Sequence, residues 1–141
     1  SNLLALAQAL AIDSKVIFPG FVSMEDLVTL YRGASLFAYP SLYEGFGLPP
    51  LEAMAADIPV VSSPVPSVME TDPRAALVFN PEDTTNLVTC LTLGVGDHGL
   101  RHTLIQRGRA ACKGLSWKQT ADETQKLYHK VLGISTEGET L

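Results

Sequence analysis

Short apolar runs alternate with helix-period segments along the first two thirds of this chain, a rhythm that predicts an α/β sheet with crossover helices. Leu3 to Ile12 reads as the end of a helix, and Val16-Ile17-Phe18 as a short buried strand stopped by Pro19-Gly20. Ser23 is placed to cap a helix with Leu27, Leu30 and Tyr31 on its apolar face and Gly33 at its end. Leu36 to Tyr39, Pro59 to Ser62 and Ala76 to Phe79 read as further strands, the last broken by Asn80-Pro81. Pro50 to Ala56 forms a helix between the first two, because proline is tolerated in a first turn. Ser63-Pro64-Val65-Pro66-Ser67 reads as loop. Helices dominate thereafter, over Thr84 to Leu93, His98 to Lys113 and Ser116 to Leu132, with Ser116 as N-cap and Trp117 pinning the last one to the body. The expected organisation is one domain, residues 1–133, followed by a polar tail, residues 134–141, that frays.

Composition adds exclusions. Of 141 residues, 46% are hydrophobic and 18% charged, which suits a globular core and argues against disorder. A formal net charge of −5 gives no electrostatic reason to expect nucleic acid or an anionic membrane as partner. No apolar run approaches the roughly 20 residues that span a bilayer, and Ser1 to Ala5 lacks the basic region of a signal peptide. Cys90 and Cys112 sit among apolar neighbours in helical segments and read as buried free thiols. A reducing, cytoplasmic setting fits them best.

Most of the chemistry lies between Tyr39 and Ala55. Glu44 and Glu52 bracket a loop carrying Gly45 and Gly47, with seven residues between the two carboxylates. Glycines bare backbone N–H groups, and the helix that follows adds unpaired donors and the positive end of its dipole. Such a loop suits a diphosphate. A carboxylate on each side can accept hydrogen bonds from sugar hydroxyls, so the combination suggests a nucleotide-sugar site.

With the Phe18-Pro19-Gly20-Phe21-Val22 turn, Glu52-Ala53-Met54-Ala55, Pro59 to Ser62, Glu70 followed by Ala75 to Val78, Asn80 to Asp83 and the closing Trp117 helix, the chain resembles a known family from about Leu3 to Leu132. It looks like part of the C-terminal domain of a GT-B fold, retaining glycosyltransferase of group 1 (family 4). The resemblance implies a partial Rossmann-like parallel sheet that lacks the family's first strand–helix–strand unit. It implies that Glu44, the catalytic candidate, receives donor-sugar hydroxyls and acts by position and charge rather than as an established nucleophile. Backbone N–H groups over Gly45, Phe46, Gly47 and Leu48 would hold the distal phosphate, Glu52 the ribose hydroxyls, and Gly20, Phe21 and Val22 would border the nucleobase. The donor is then a nucleoside diphosphate sugar used as substrate, with no cofactor and no metal implied.

The same resemblance marks what differs. Ala56-Asp57 stands where the family has a small residue and glycine, and Pro66 where glycine is common. The family's basic pair that clamps the diphosphate, and its N-terminal acceptor domain, have no counterpart in this sequence. The chain is therefore expected to be a fragment, inactive alone. The family's strand order would leave Leu36–Tyr39 as a bare edge, inviting either Val16–Phe18 or a second copy of the chain to pair there. The alternative is a non-catalytic module that binds a nucleotide sugar or a partner chain. A third reading is a relative of epimerases or phosphorylases on the same architecture.

Other candidates have plainer readings. Gly94-Val95-Gly96-Asp97-His98-Gly99 matches a dinucleotide-binding string but follows a helix, so it reads as an interhelical loop. His98 and His102 share a helix face without the further ligands of a metal site. Arg101, Arg107 and Arg109 read as a solvated helix face, and Glu82-Asp83 as charge at a helix start. Glu70 either faces the nucleotide or braces its own loop. Ser41 and Tyr43 border the cleft by position, with packing and turn roles equally open.

Overall fold

The structure, a computed structural model, describes residues 2–134. Beyond Ile134 the expected tail lies outside the described residues. The chain divides into two compact units, Ser1–Gly33 and Ala34–Leu141.

In the first unit, helix α1 (Asn2–Ala9) leads through a 3-10 turn at Asp13–Lys15 to α2 (Met24–Gly33). Ser23 caps α2: its Oγ accepts the Asp26 N–H at 3.1 Å and donates to Asp26 Oδ2 at 2.8 Å. That satisfies one of the helix's orphan donors. Leu27 and Tyr31 are half-buried on α2, whereas Leu30 is exposed. Val16-Ile17-Phe18 forms no strand, and Ile17 and Phe18 are exposed rather than buried. Three apolar residues become a strand only when a neighbour's backbone answers their own N–H and C=O groups. No ladder among the described residues includes this segment. The expectation that it moves beside Leu36–Tyr39 falls with it.

The second unit is built on three parallel strands in the order β1 (Phe37–Tyr39), β2 (Val60–Ser62), β3 (Ala76–Val78). Phe37 pairs with Val60 and Val60 with Ala76, so the strands end level at Tyr39, Ser62 and Val78. Central β2 is buried on both faces, as a parallel strand covered by helices must be. Helix α3 (Leu48–Ala55) joins β1 to β2, and α4 (Pro66–Thr71) joins β2 to β3. Helix α5 (Thr84–Gly96) follows β3 and packs Leu87, Cys90 and Leu91 against Val61, Leu77 and Phe79. Helix α6 (His98–Cys112) packs on α3 and α5, and α7 (Trp117–Leu132) closes the described chain. Ser116 caps α7 as expected, its Oγ accepting the Gln119 N–H at 3.1 Å, while Asp83, expected only as charge at a helix start, also caps α5, its Oδ1 accepting the Asn86 N–H at 3.0 Å.

Several expectations are corrected. Ser63–Ser67 is not all loop, because Pro66 opens α4, where the N–H it lacks would have been unpaired anyway. The glycine string is not a loop either. Gly94 and Gly96 lie in α5, Gly99 in α6, and Asp97 alone joins the helices. Gly94 lets α5 approach the sheet, since a Cβ there would stand 2.8 Å from Leu36 Cδ1. Trp117 does not pin α7: it is 78% exposed, and α7 has no buried residue. Nor are the arginines merely solvated. Arg101 Nη1 donates to Ser35 O at 2.7 Å and Gly94 O at 2.9 Å, and Arg107 Nη1 to Arg74 O at 3.2 Å. Arg109 grips both carboxylate oxygens of Asp57. Asp57 has φ +63°, a left-handed conformation that favours glycine, so the ion pair holds a residue its backbone only tolerates.

Candidate functional site

Parallel sheets of this kind present ligand sites at the carboxyl ends of their strands, and the site is built there. Pro40 ends β1, since it has no N–H to continue a ladder. Buried Ser63, just past β2, then fixes the exit of the chain. Its N–H donates to Tyr39 O at 3.0 Å, and its Oγ to Ser41 O at 2.6 Å and Tyr39 O at 3.3 Å.

Ser41 in turn reaches Glu44: Ser41 Oγ lies 2.9 Å from Glu44 Oε1 and 3.1 Å from Tyr43 O. Tyr39 Oη donates to the same Oε1 at 2.5 Å. The Tyr39 hydrogen bond first, and the Ser41 bond second, hold the Glu44 carboxyl below the usual carboxylate range. The same contact pushes the Tyr39 phenol up, because ionising it would lose the bond and set two anions together. Glu44 is thus a half-buried, ionised acceptor.

The glycine loop is tied down from α4. Gly47 caps α3 with φ +84°, which only glycine adopts without strain. Ser67, fully buried, donates its N–H to Phe46 O at 2.8 Å and its hydroxyl to Gly47 O. The α3 N-terminus is poorer in donors than most. Its second and third residues are Pro49 and Pro50, so of the four N–H groups a helix start leaves unpaired, Gly47 and Leu48 carry those that remain. Gly45, Phe46 and Leu48 are exposed.

Two clefts flank this loop. The smaller, about 240 Å³, opens at the strand ends between Ser41, Glu44, Ser63, Pro66 and Pro81. The larger, about 790 Å³, is a mainly apolar groove between α3 and the start of α7, with Phe46, Leu51, Glu52, Cys112 and Trp117 in its walls. Glu44 lines the first and Glu52 the second, so the two carboxylates face different clefts. Neither cleft is lined by a lysine or arginine among the described residues.

The remaining candidates fall elsewhere. Gly20, with φ +68°, exposed Phe21 and half-buried Val22 belong to the first unit. Glu70 is exposed on α4 and lines neither cleft. His98 and His102 are exposed, and no group of three or more His, Cys, Asp or Glu among the described residues is placed to hold a metal. Both cysteines are free thiols pushed up by burial. Cys90 is buried in the core, while Cys112 is half-buried, its Sγ 3.4 Å from Leu51 O. No helix among the described residues is long and apolar enough to cross a membrane. Sequence reasoning missed Tyr39 and Ser67. For Tyr39 the available signal was a polar tip at the end of a strand, where ligands collect; Ser67 lies on α4 and carried no such signal.

The family model for glycosyl transferases group 1 matches residues 1–111. O-antigen chain mannosyltransferase B of Escherichia coli is 41% identical over 109 residues, covering 77% of this chain and 29% of that protein. Serotype-specific mannosyltransferase WbdA of Escherichia coli is 33% identical over 137 residues, 96% of this chain and 17% of WbdA. The chain thus spans less than a third of either relative. Among solved structures, sucrose-phosphate synthase from Thermosynechococcus elongatus superposes with a TM-score of 0.82 at 29% identity, over 95% of this chain and 34% of that one. WaaG, a glycosyltransferase involved in lipopolysaccharide biosynthesis, superposes at 0.70 with 25% identity, over 97% of this chain and 35% of its own.

Proposed function

This chain belongs to the group 1 glycosyl transferases and has the fold of the GT-B C-terminal domain, and from that premise we propose that it forms the donor side of an enzyme that transfers a sugar from a nucleoside diphosphate. The observation that carries the reading is the glycine loop. It runs from the C-terminal end of β1 to the N-terminus of α3, with Glu44 ionised on one flank and Glu52 on the other.

In this account the distal phosphate rests on the N–H groups from Gly45 to Leu48, aided by the α3 dipole. Glu44 accepts donor-sugar hydroxyls and Glu52 accepts the ribose diol. Oriented N–H dipoles then stabilise the departing diphosphate, which is where most of the catalysis lies. A carboxyl held below its usual range is a weak base and a persistent anion, so Glu44 suits charge stabilisation better than proton transfer. Retention at the anomeric carbon extends the family resemblance. The relatives' names favour a mannosyl donor, and the two free thiols favour the cytoplasm.

Because neither cleft offers a lysine or arginine among the described residues, these clefts by themselves hold a diphosphate weakly. A cationic clamp and the acceptor wall come from elsewhere in the protein. That gap also favours a second reading, a binding module without catalysis. The separating experiment is transfer by the whole protein from a panel of UDP-, GDP- and ADP-hexoses. Wild type transfers from at least one, and Glu44→Gln loses at least a hundredfold in kcat. Donor binding by calorimetry without transfer from any of them would favour the module.

A further inference from the structure

Both hydroxyls that reach Glu44 reach one side of it. Tyr39 Oη and Ser41 Oγ converge on Oε1, at 2.5 and 2.9 Å, while the carboxylate lines the cleft at the strand ends. Tyr39 is fixed independently of the loop. Its backbone lies in β1, in register with Ser62, and its ring stacks on Phe37 with centroids 6.0 Å apart and planes 18° from parallel. Glu44 has no such support, because it sits on a connection outside helix and strand. A donor carried by a sheet and aimed at a loop carboxylate sets that carboxylate's direction.

We propose that Tyr39 is a positioning residue for Glu44, holding Oε1 against the sheet so that Oε2 meets a hydroxyl of the donor sugar. The inference rests on the donor-site reading above and deepens it, by giving Glu44 a fixed orientation and a single working oxygen. Ser41 shares the load from the loop itself. The titratable groups facing the carboxylate are Tyr39 and Tyr43. The other walls, Ser63 to Pro66 between β2 and α4 and Pro81 beyond β3, contribute none. Tyr39 and Ser41 therefore control its charge as well as its direction.

The test is Tyr39→Phe in the whole protein, which keeps the ring and its stacking and removes only the donor. With carboxyl-labelled glutamate, and Glu44→Gln to assign the signal, NMR titration follows Glu44 in wild type and variant. The Glu44 signal titrates at higher pH in Tyr39→Phe. With a UDP-, GDP- or ADP-hexose as donor, kcat falls about tenfold, the scale of one hydrogen bond to a charged group, while KM moves less than about twofold. The acid limb of kcat moves up with the carboxylate, which a purely structural role would not produce. An unmoved Glu44 titration overturns the inference, and so does a moved titration with unchanged transfer. If wild type transfers no sugar from the panel while Glu44 still follows Tyr39, the positioning holds and the donor-site reading fails. Should Tyr39→Phe lose its far-ultraviolet circular dichroism, Ser41→Ala probes the same oxygen by the same readings.

Discussion

Replacing Gly47 with alanine perturbs the site at its most constrained backbone position. Gly47 has φ +84°, in the left-handed region, where an L-residue sets its Cβ against the following carbonyl at a cost of about 1–2 kcal/mol. A Cβ there would meet Val65 Cβ and Cγ2 at 3.4 Å and Ser67 Oγ at 3.5 Å, ordinary contacts that add no clash. Alanine also stiffens the unfolded chain, which offsets about 0.4–1 kcal/mol. The net loss is about 1 kcal/mol, and with an m-value of about 1–3 kcal/mol per molar it lowers the urea midpoint by about 0.3–1 M. Gly47→Asn, whose side chain visits this region more readily, loses roughly half as much. Because Ser67 ties Gly47 O to α4, relief of the strain also shifts the N–H groups proposed to hold the phosphate, so donor affinity falls with stability. An alanine variant as stable as wild type, or one ranking above asparagine, would show that Gly47 is not left-handed and that the loop is built differently.

Four further outcomes follow from the same structure. Ser67→Ala removes a buried hydroxyl that bonds Gly47 O and destabilises by about 1 kcal/mol, measurable in urea and as faster hydrogen exchange at the glycine loop. Gly108→Val forces a side chain onto fully buried Met54, whose Cβ would lie 3.0 Å from the added Cβ; overpacking of about 1–3 kcal/mol lowers the thermal midpoint. At Asp57, with φ +63° and Arg109 on both oxygens, glycine relieves the backbone while alanine loses the ion pair and keeps the strain. Thermal denaturation therefore ranks Asp57→Gly above Asp57→Ala. Arg109 holds Asp57, and Arg74 holds Asp72, below the usual aspartate range. The unfolded chain takes up protons there first, so this stabilisation is complete above a pH of about 4 and is lost as pH falls through the lower folded values. Acid titration of Asp72→Asn followed by circular dichroism then shows a shallower decline than wild type.

What could be read from sequence was what is local. Glu44, the glycines and Glu52 marked the candidate site because residue type and spacing alone create a donor-lined loop with flanking acceptors. The caps at Ser23 and Ser116 were legible because a cap satisfies its own helix within three residues. Errors arose wherever a distant partner decides. Val16–Phe18 had the composition of a strand but no partner in the ladder. Arg101, Arg107 and Arg109 looked solvated because their acceptors are separated from them by 66, 33 and 52 residues, apart from Gly94 beside Arg101. Pro66 read as a breaker, although a proline at a first helical position is compatible with a start. Trp117 advertised burial, but apolar character does not say which surface covers a residue. Tyr39 was hidden inside a strand reading that accounted for its ring and left its hydroxyl unexplained.

In the function proposed, the loop between Glu44 and Glu52 cradles the donor. A crystal structure of the whole protein with a transferable nucleoside diphosphate hexose tests it most directly. The predicted result has the distal phosphate within hydrogen-bond distance of N–H groups between Gly45 and Leu48, Glu44 Oε2 on a sugar hydroxyl and Glu52 on the ribose. A donor bound with its diphosphate away from that loop, or with Glu44 touching no sugar hydroxyl, would contradict it.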